Sequence, residues 1–589
     1  MSRLEERGLI GNCQFAALVS NTGAVEWCCL PSLDSEPVFA ALLDDEDGGS
    51  FRISPASGGA GAQRYIPNTN VLETTFKTAE GSFRVLDFAP RYFANRRLIY
   101  PSDLVRIVEP LSGMPRVSVT CEPRLGWSKK VPDRLESSDH IDFLGFNRPL
   151  RLTTDVPQAF MTGAPFSLTH RHHLLLSWGP WPTDPLPELC ERHLADTVRY
   201  WQGWVKHCDI PPLFQDEVIR SALVLKLHCC EDTGAIVAAT TTAIPESPGS
   251  GRTWDYRYCW LRDSYYVLDA LRALGHFEER EKFLQYLLNI VGSSKGLELS
   301  PLYRVNGGSD LPEQTLPHWK GFEGEGPVRV GNAAALHQQH DLFGEMVLAL
   351  SPIFLDSRFE SERSRESLDL IEQLARRALA VAGTPDAGIW ELRTEWTPQT
   401  FSSAMCWVAA DRMGRIAALH RPAIAQEMIA AARYLHGQIM ERAWNADVGS
   451  FVSSYGGDGL DASLLQLPKL RFLPIDDPKL VATVDAIRKG LTRDGWLFRY
   501  AVNDGFGTPT VAFVICTFWL AEALALLGRR ADAREVLTQA RTAMSPLGLL
   551  AEDYDPVHGR LWGNFPQAYS HVGLITAAFA ASPEWWEIL

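Results

Sequence analysis

Two glutamates in short loops are the residues of this chain most suited to chemistry. Glu391 lies in GIWEL beside Trp390, and Glu552 lies in LLAEDYDP just before the turn at Pro556. Cleaving a glycosidic bond with inversion needs a protonated carboxyl at the leaving oxygen. It also needs an ionised carboxylate holding a water on the opposite face of the sugar, about 6.5–9.5 Å from the first. A carboxyl partly desolvated against aromatic rings keeps its proton to higher pH, so Trp390 predicts a raised pKa at Glu391 and the role of acid. Glu552, after the apolar pair Leu549–Leu550, then suits the base. Asp553 and Glu395 stand close enough in sequence to compete for the two roles.

A third segment supplies groups that hold a sugar. In WDYRYCWLRDS, Trp254 to Ser264, the Arg262–Asp263 pair can bind adjacent hydroxyls through directed hydrogen bonds, while Trp254, Tyr258 or Trp260 covers an apolar ring face. The same pair also reads as a helix-start ion pair above an aromatic core. Residues 311–332, a loop rich in Gly and Pro, carry Trp319, Glu323, Arg329 and Asn332 and are predicted to form a substrate wall. The segment GNFPQAYSH, 563–571, follows the candidate base and is expected to complete the rim. His170, His172 and His173 are close in sequence without composing a coordination shell, and there is no CxxC, HExxH or nucleophile elbow, so no metal is expected. DDEDG, residues 44–48, reads as a solvated turn.

These loops need elements to position them, and 589 residues are too many for one hydrophobic core, so two domains are expected. Up to about residue 200 the chain consists of short alternating or β-branched segments between turn signals. FAALVSNTGAVEWCCLP, for example, reads as two strands around Asn21-Thr22-Gly23. That pattern predicts a β-sandwich. Near Asp196 the period becomes helical. Candidates then recur at 214–229, 261–274, 278–292, 333–351, 364–382, 402–419, 423–442, 461–467, 479–489, 510–527, 531–545 and 570–581. Several, such as VAFVICTFWLAEALALLG, are apolar on every side, as a helix of an inner ring must be. The expected organisation is a β-sandwich at 1–200, a linker at 201–213 and an all-α toroid at 214–589.

With 46% apolar and 22% charged residues, the composition is that of an ordinary globular protein. The net charge of −15 argues against nucleic acid or an anionic membrane as partner. Eleven cysteines at scattered spacings, no apolar leader and no membrane-length segment point to reduced thiols and a cytoplasmic enzyme acting on a small soluble saccharide. The sequence carries no reading of oligomeric state.

WDYRYCWLRDS, GNAAALHQQHDLFGE, GIWELR, TFSSAMCWVAADR, AFVICTFWLAEAL, LLAEDYDP and GNFPQAYSHVGL occur in this order, after an N-terminal IGNCQFAALVSNTGAVEWCCLPSLDSEPVFAALLD. In this the chain resembles glycoside hydrolase family 15, specifically its bacterial branch of glucoamylases and trehalases, over nearly its whole length. The resemblance implies a β-sandwich followed by an (α/α)6 barrel, inversion with release of β-glucose, no organic cofactor and no metal in the chemistry. It also implies Glu391 as general acid, Glu552 as general base, and Arg262 and Asp263, with Trp260 nearby, as binders of the terminal glucose. One departure is TEWTPQTFSS after GIWELR, where the family would have a more basic, histidine-bearing stretch, so that Trp396 joins a rim that helps choose the aglycone. A second is the paired cysteine of VEWCC. The first expected substrate is a short α-1,4-linked gluco-oligosaccharide attacked from its nonreducing end. Trehalose follows, then isomalto-oligosaccharides or an unusual α-glucoside, and outside enzymes a noncatalytic carbohydrate-binding protein.

Overall fold

The computed structural model describes residues 3–181, 183–293, 297–393 and 395–589. Its N-terminal part is two antiparallel sheets packed face to face. One runs in the order Arg7–Gly11, Ala16–Ser20, Ala24–Cys29, Ser50–Pro55, Arg116–Glu122 and Phe166–Ser167, with Pro37–Phe39 beside Ala24–Cys29. The other runs Asp133–Glu136, His140–Leu144, Leu150–Thr154, His172–Trp178, Asp103–Gly113, Gly81–Phe88, Leu72–Thr78 and Ala62–Tyr65. The period of two does the sorting. In Arg116–Glu122 only Val117, Val119 and Cys121 turn inward, to meet Phe83, Val85, Leu104 and Leu174 of the facing sheet.

Three strands of the second sheet are apolar on both faces, because a helix covers their outer side. This helix, α1 (Leu186–Lys206), lays Leu189 and Cys190 on Leu86, Phe88, Val105, Ile107 and Leu175. It runs across residue 200, where the sequence pattern alone ends the first domain, since its amphipathic stripe already begins at Leu186. An ionic strap fastens it. His173 Nδ1 lies 2.8 Å from an Asp155 oxygen and its Nε2 lies 3.0 Å from Glu191 on α1, while His172 Nδ1 is 3.0 Å from the other Asp155 oxygen.

Burial pushes the His173 pKa down, but the two carboxylates raise it above its ordinary 6.5. The stabilisation from His173 is therefore complete below about pH 6.5 and is lost as pH rises through the raised folded value. Asp155 is held below the usual carboxylate range by its histidines against burial, so its share is lost in the opposite direction, as pH falls. The melting-temperature gap between the wild type and His173→Gln should narrow as pH rises above neutrality. A gap that is flat or widens with pH would contradict the ion-pair account.

The helical part begins with α2 (Gln215–His228), α3 (Leu261–Ala273), α4 (Glu278–Ser293), α5 (Asp341–Leu355), α6 (Arg365–Val381), α7 (Thr400–His420) and α8 (Pro422–Arg442). A 3-10 turn, Ala462–Gln466, leads into the short α9 (Leu467–Leu470), followed by α10 (Pro478–Leu491), α11 (Val514–Leu526), α12 (Arg530–Ala540) and α13 (Ala568–Ala581). Neighbours close into a ring. α3 packs on α5, α5 on α7, α7 on the 462–466 turn, that turn on α11, α11 on α13, and α13 back on α3. The even-numbered helices α2 to α12 lie outside, which makes this an (α/α)6 barrel. α11 shows why the inner ring is apolar all round, with every residue from Val514 to Ala525 buried. One predicted helix starts late. Asn332 caps only a 3-10 turn at Ala333–Leu336, and α5 begins at Asp341, where the Asp386 carboxylate takes the His340 N–H.

The two parts share buried contacts. Trp27 donates its indole N–H to the Thr240 carbonyl, and Arg91 pairs with Glu231. Residues 44–48 are not simply a solvated turn. Asp44 is buried and pairs at 2.6 Å with Lys129, and Lys320 of the helical part reaches Glu46 at 2.8 Å. All eleven cysteines are unpaired and all but Cys208 are buried. Among the described residues no helix is long and apolar enough to cross a membrane, and no group of three or more His, Cys, Asp or Glu could hold a metal.

Candidate active site

The inner helices bring their N-terminal ends to one face of the barrel, and the loops entering them build a cavity. α3 delivers Arg262 and Asp263 in its first turn, α13 delivers Tyr569 with Gln567 just before it, and Phe513 precedes α11. The residues lining the cavity all lie between Ala238 and Tyr569, within the helical part of the chain.

Glu391 sits on a tight turn. Its N–H donates to the Gly388 carbonyl and the Leu392 N–H to that of Ala387, and Glu391 itself has a left-handed φ of 57°. A non-glycine residue in that region carries strain of about 1–3 kcal/mol and persists only where the surroundings over-determine it. Here they do. The buried Asp386 carboxylate grips the Gly388 and His340 N–H groups and the Ser402 hydroxyl, and Trp390 donates its indole N–H to Asp461. One Glu391 oxygen accepts from Trp260 Nε1 at 2.7 Å, Arg262 Nη2 at 3.0 Å and Gln339 Nε2 at 3.2 Å.

Glu552 is positioned by a small sheet of Ala512–Phe513, Asp553–Asp555 and Arg560–Trp562. Its carbonyl takes the Val514 N–H at the start of α11, and its side chain takes the Asn564 N–H at 3.2 Å. Gly563 makes this close approach possible, since a Cβ there would lie 2.5 Å from that of Glu552.

The two carboxyls differ in ionisation, and in the opposite sense to the sequence expectation. Burial pushes Glu391 up, but Arg262 foremost, then His337, Gln339 and Trp260, hold it below the usual carboxylate range. The neighbouring Trp390 does not decide its pKa, because the Arg262 guanidinium at 3.0 Å together with His337, Gln339 and Trp260 outweighs desolvation. Glu552 is pushed up to about 8 by burial and by the nearby Glu246, only partly offset by Tyr256, Arg499 and the Asn564 N–H. Asp553 beside it is also raised, first by burial and then by Glu552. In the substrate-free site the proton therefore rests on the Glu552 side. Asp263 is pushed up to about 7, first by burial and then by Glu391, against Arg262.

Of the residues singled out from sequence, the cavity brings together Trp254, Trp260, Arg262, Asp263, Asn332, Trp390, Glu391 and Glu552. It leaves out five. Tyr258 is buried, its oxygen accepting the Gly331 N–H. Trp319 packs on Trp127 of the sandwich and donates to its carbonyl. Glu323 pairs with Arg560. Arg329 lies behind Trp254, 4.8 Å from its ring. Trp396 donates to the Leu392 carbonyl and meets His337 edge-on. The 311–332 loop is thus mostly a domain-facing buttress, because its aromatic and charged groups find partners in the sandwich and around Trp562 rather than in the cavity.

Sequence reasoning missed Glu246, Arg252, Tyr256, Arg393, Arg499, Asp504 and Phe506. Glu246 accepts from Trp254 Nε1, Arg252 and Arg499, and Arg252 also holds Asp504 at 2.7 Å. Arg393 stacks 4.1 Å from Trp254, and Phe506 meets the same ring edge-on. The signal that could have found some of them is proximity to named motifs, since Tyr256 lies inside WDYRYCW and Arg393 directly follows Leu392.

Comparison with known proteins agrees with this architecture. The model of glycosyl hydrolases family 15 matches residues 213–579, and a trehalase-like N-terminal model matches residues 1–158. The chain belongs to glycosyl hydrolase family 15. A trehalase of Mycolicibacterium smegmatis is 35% identical, with 98% of this chain and 90% of that protein covered. A trehalase of Mycobacterium tuberculosis is 33% identical, with 98% and 89% covered. A bacterial glucoamylase solved in complex with acarbose superposes with a TM-score of 0.67 over 98% of this chain and 94% of its own, at 13% identity, and so shares the fold. As a family 15 member the protein is an α-glucoside hydrolase.

Proposed function

We propose that this family 15 hydrolase cleaves α,α-trehalose, with inversion at the attacked carbon. The observation that carries this reading is the near full-length similarity to proteins named trehalase, against a sequence likeness to a glucoamylase of Clostridium that is 24% identical over 55% of this chain. It favours trehalose over the α-1,4-gluco-oligosaccharides that lead in the sequence reading. The mouth supports a second sugar, since Trp254, Arg252, Arg393, Asp504 and Phe506 offer ring faces and hydroxyl partners beyond Glu391.

In this mechanism one glucosyl unit sits over Arg262 and Asp263. Glu391 donates its proton to the bridging oxygen as the carbon–oxygen bond breaks. A water held by Glu552 attacks the anomeric carbon from the other face and passes its proton to Glu552. The products are one β-glucose from the attacked unit and one α-glucose from the leaving unit. Product-resolved NMR on separate samples of trehalose, maltose, maltotriose and isomaltose, without phosphate, tests both claims. Trehalose should be turned over at least about tenfold faster than the others, with equal α- and β-glucose before mutarotation. Preferential release of glucose from maltotriose would return the substrate to malto-oligosaccharides. An excess of α-glucose from trehalose would rule out inversion.

A further inference from the structure

The resting site poses a chemical problem. The carboxyl read as proton donor lies against a guanidinium that favours its ionised form, so something must draw Arg262 away when a sugar is bound. At the other guanidinium nitrogen stands Asp341, the first residue of α5, fully buried and 3.6 Å from Arg262 Nη1. Among the described residues neither Asp341 oxygen accepts a hydrogen bond, and Arg262 Nε makes none. Arg262 thus has two carboxylate seats. The Glu391 seat is filled at 3.0 Å, and the Asp341 seat has its whole acceptor capacity unused.

We propose that Asp341 is a positioning residue of the reaction, the counter-anion that takes Arg262 when sugar hydroxyls engage the guanidinium, so that Glu391 can hold the proton it donates. The inference rests on the reading of Glu391 as the acid. Arg262 itself loses and gains no proton. It exchanges one anionic neighbour for another, and the proton goes to the carboxylate left behind.

The surroundings of Asp341 fit this role. Burial and the neighbouring Asp386 push it up to about 6, while Arg262, foremost, and His340 pull it down, so closer approach of Arg262 makes its charge more secure. Glu345, one turn further along α5, is fully buried with neither oxygen bonded, and burial together with Asp341 keeps it protonated. Cys406 of α7 also feels the Asp341 charge, and burial keeps it a thiol. The Tyr266 hydroxyl of α3 and the Tyr569 hydroxyl of α13 are buried without hydrogen-bond partners, and burial keeps both neutral. Asp341 is thereby the charged group free to serve Arg262 on that side. On the other side Glu391 faces Arg262 and His337, and Asp263 and Tyr256 feel its charge.

The test is the pH dependence of kcat, whose alkaline limb reports the acid in the substrate complex. In Asp341→Asn, Arg262 has only Glu391 to pair with. The limb should move to lower pH by about one unit, and kcat near neutrality should fall about tenfold. Asp341→Glu should restore the limb, and Glu345→Gln, which keeps a neutral group in place, should leave it where it is. A fall in kcat by the same factor at every pH, or a rise in KM alone, would make Asp341 merely structural. If Asp341→Asn does not fold, Glu552→Gln can bind trehalose intact in calorimetry run in buffers of different ionisation enthalpy. Uptake of up to one proton per site is expected, and no uptake at any pH overturns the proposal. Should the wild type cleave a different α-glucoside, the same measurements on that substrate decide the question, and the failure then belongs to the substrate reading.

Discussion

Glu391→Gln should lose trehalose turnover by about 10³-fold while losing far less on α-glucosyl fluoride, whose leaving group departs without a proton. Glu552→Gln should lose both by a similar factor, because every inverting substrate needs the activated water. The pair of substrates matters here because the substrate-free ionisation runs against the proposed roles. Glu391 is held ionised chiefly by Arg262, and Glu552 is pushed up to about 8 by burial and Glu246. If resting protonation dictated the roles, Glu552 would be the donor and the fluoride pattern would be exchanged between the two variants. The geometry explains why resting protonation need not dictate them. One oxygen of Glu391 receives the Trp260, Arg262 and Gln339 donors together, and sugar hydroxyls competing for Arg262 and Gln339 would remove two of the three hydrogen bonds that help keep it charged. Melting temperatures of both variants should stay close to the wild type. A collapse in either would mean that the lost activity reports unfolding.

How much of this was legible beforehand can be traced to particular residues. The ring of helices was legible because inner helices such as α11 must be apolar on every side and outer ones on one, and that periodicity survives in a single sequence. The two glutamates were visible through the loops that carry them. What the sequence misjudged were three-dimensional partnerships. Trp319, Glu323 and Arg329 look like a substrate wall because aromatic and charged residues in a Gly/Pro-rich loop usually face a ligand. Each instead meets a partner distant in sequence or tucked behind the wall: Trp127, Arg560 and Trp254. Conversely Glu246, Arg499 and Asp504 carry no local signature, and only folding places all three at one cavity. The pKa of Glu391 failed as an expectation for the same reason. Its sequence neighbour Trp390 was in view, whereas Arg262, 129 positions away, was not.

The largest stability effect expected of a single substitution lies outside the active site, at Arg106. This residue and Asp87 face each other between the two sheets, both completely buried, with Arg106 Nε 2.7 Å from the carboxylate. The remaining guanidinium donors reach the carbonyls of Phe51 and Gly23, so one side chain ties strand Gly81–Phe88 to a strand and a hairpin turn of the opposite sheet. Gly23 has a φ of 82°, and a Cβ there would lie 2.0 Å from the Ile53 carbonyl, so the turn requires glycine, whose carbonyl also accepts the Ile53 N–H at 2.9 Å. Arg106→Met keeps the apolar stem but strands Asp87 and removes a donor from the Phe51 and Gly23 carbonyls, and should destabilise the sandwich by about 3–5 kcal/mol. The pair itself is weak stabilisation, since desolvating two ions offsets most of their attraction. Arg106→Met combined with Asp87→Leu should therefore recover a large part of the loss in urea unfolding followed by sandwich tryptophans such as Trp27. If the double variant is as unstable as the single, the penalty lies in the lost Arg106 hydrogen bonds to the Phe51 and Gly23 carbonyls and not in the orphaned charge.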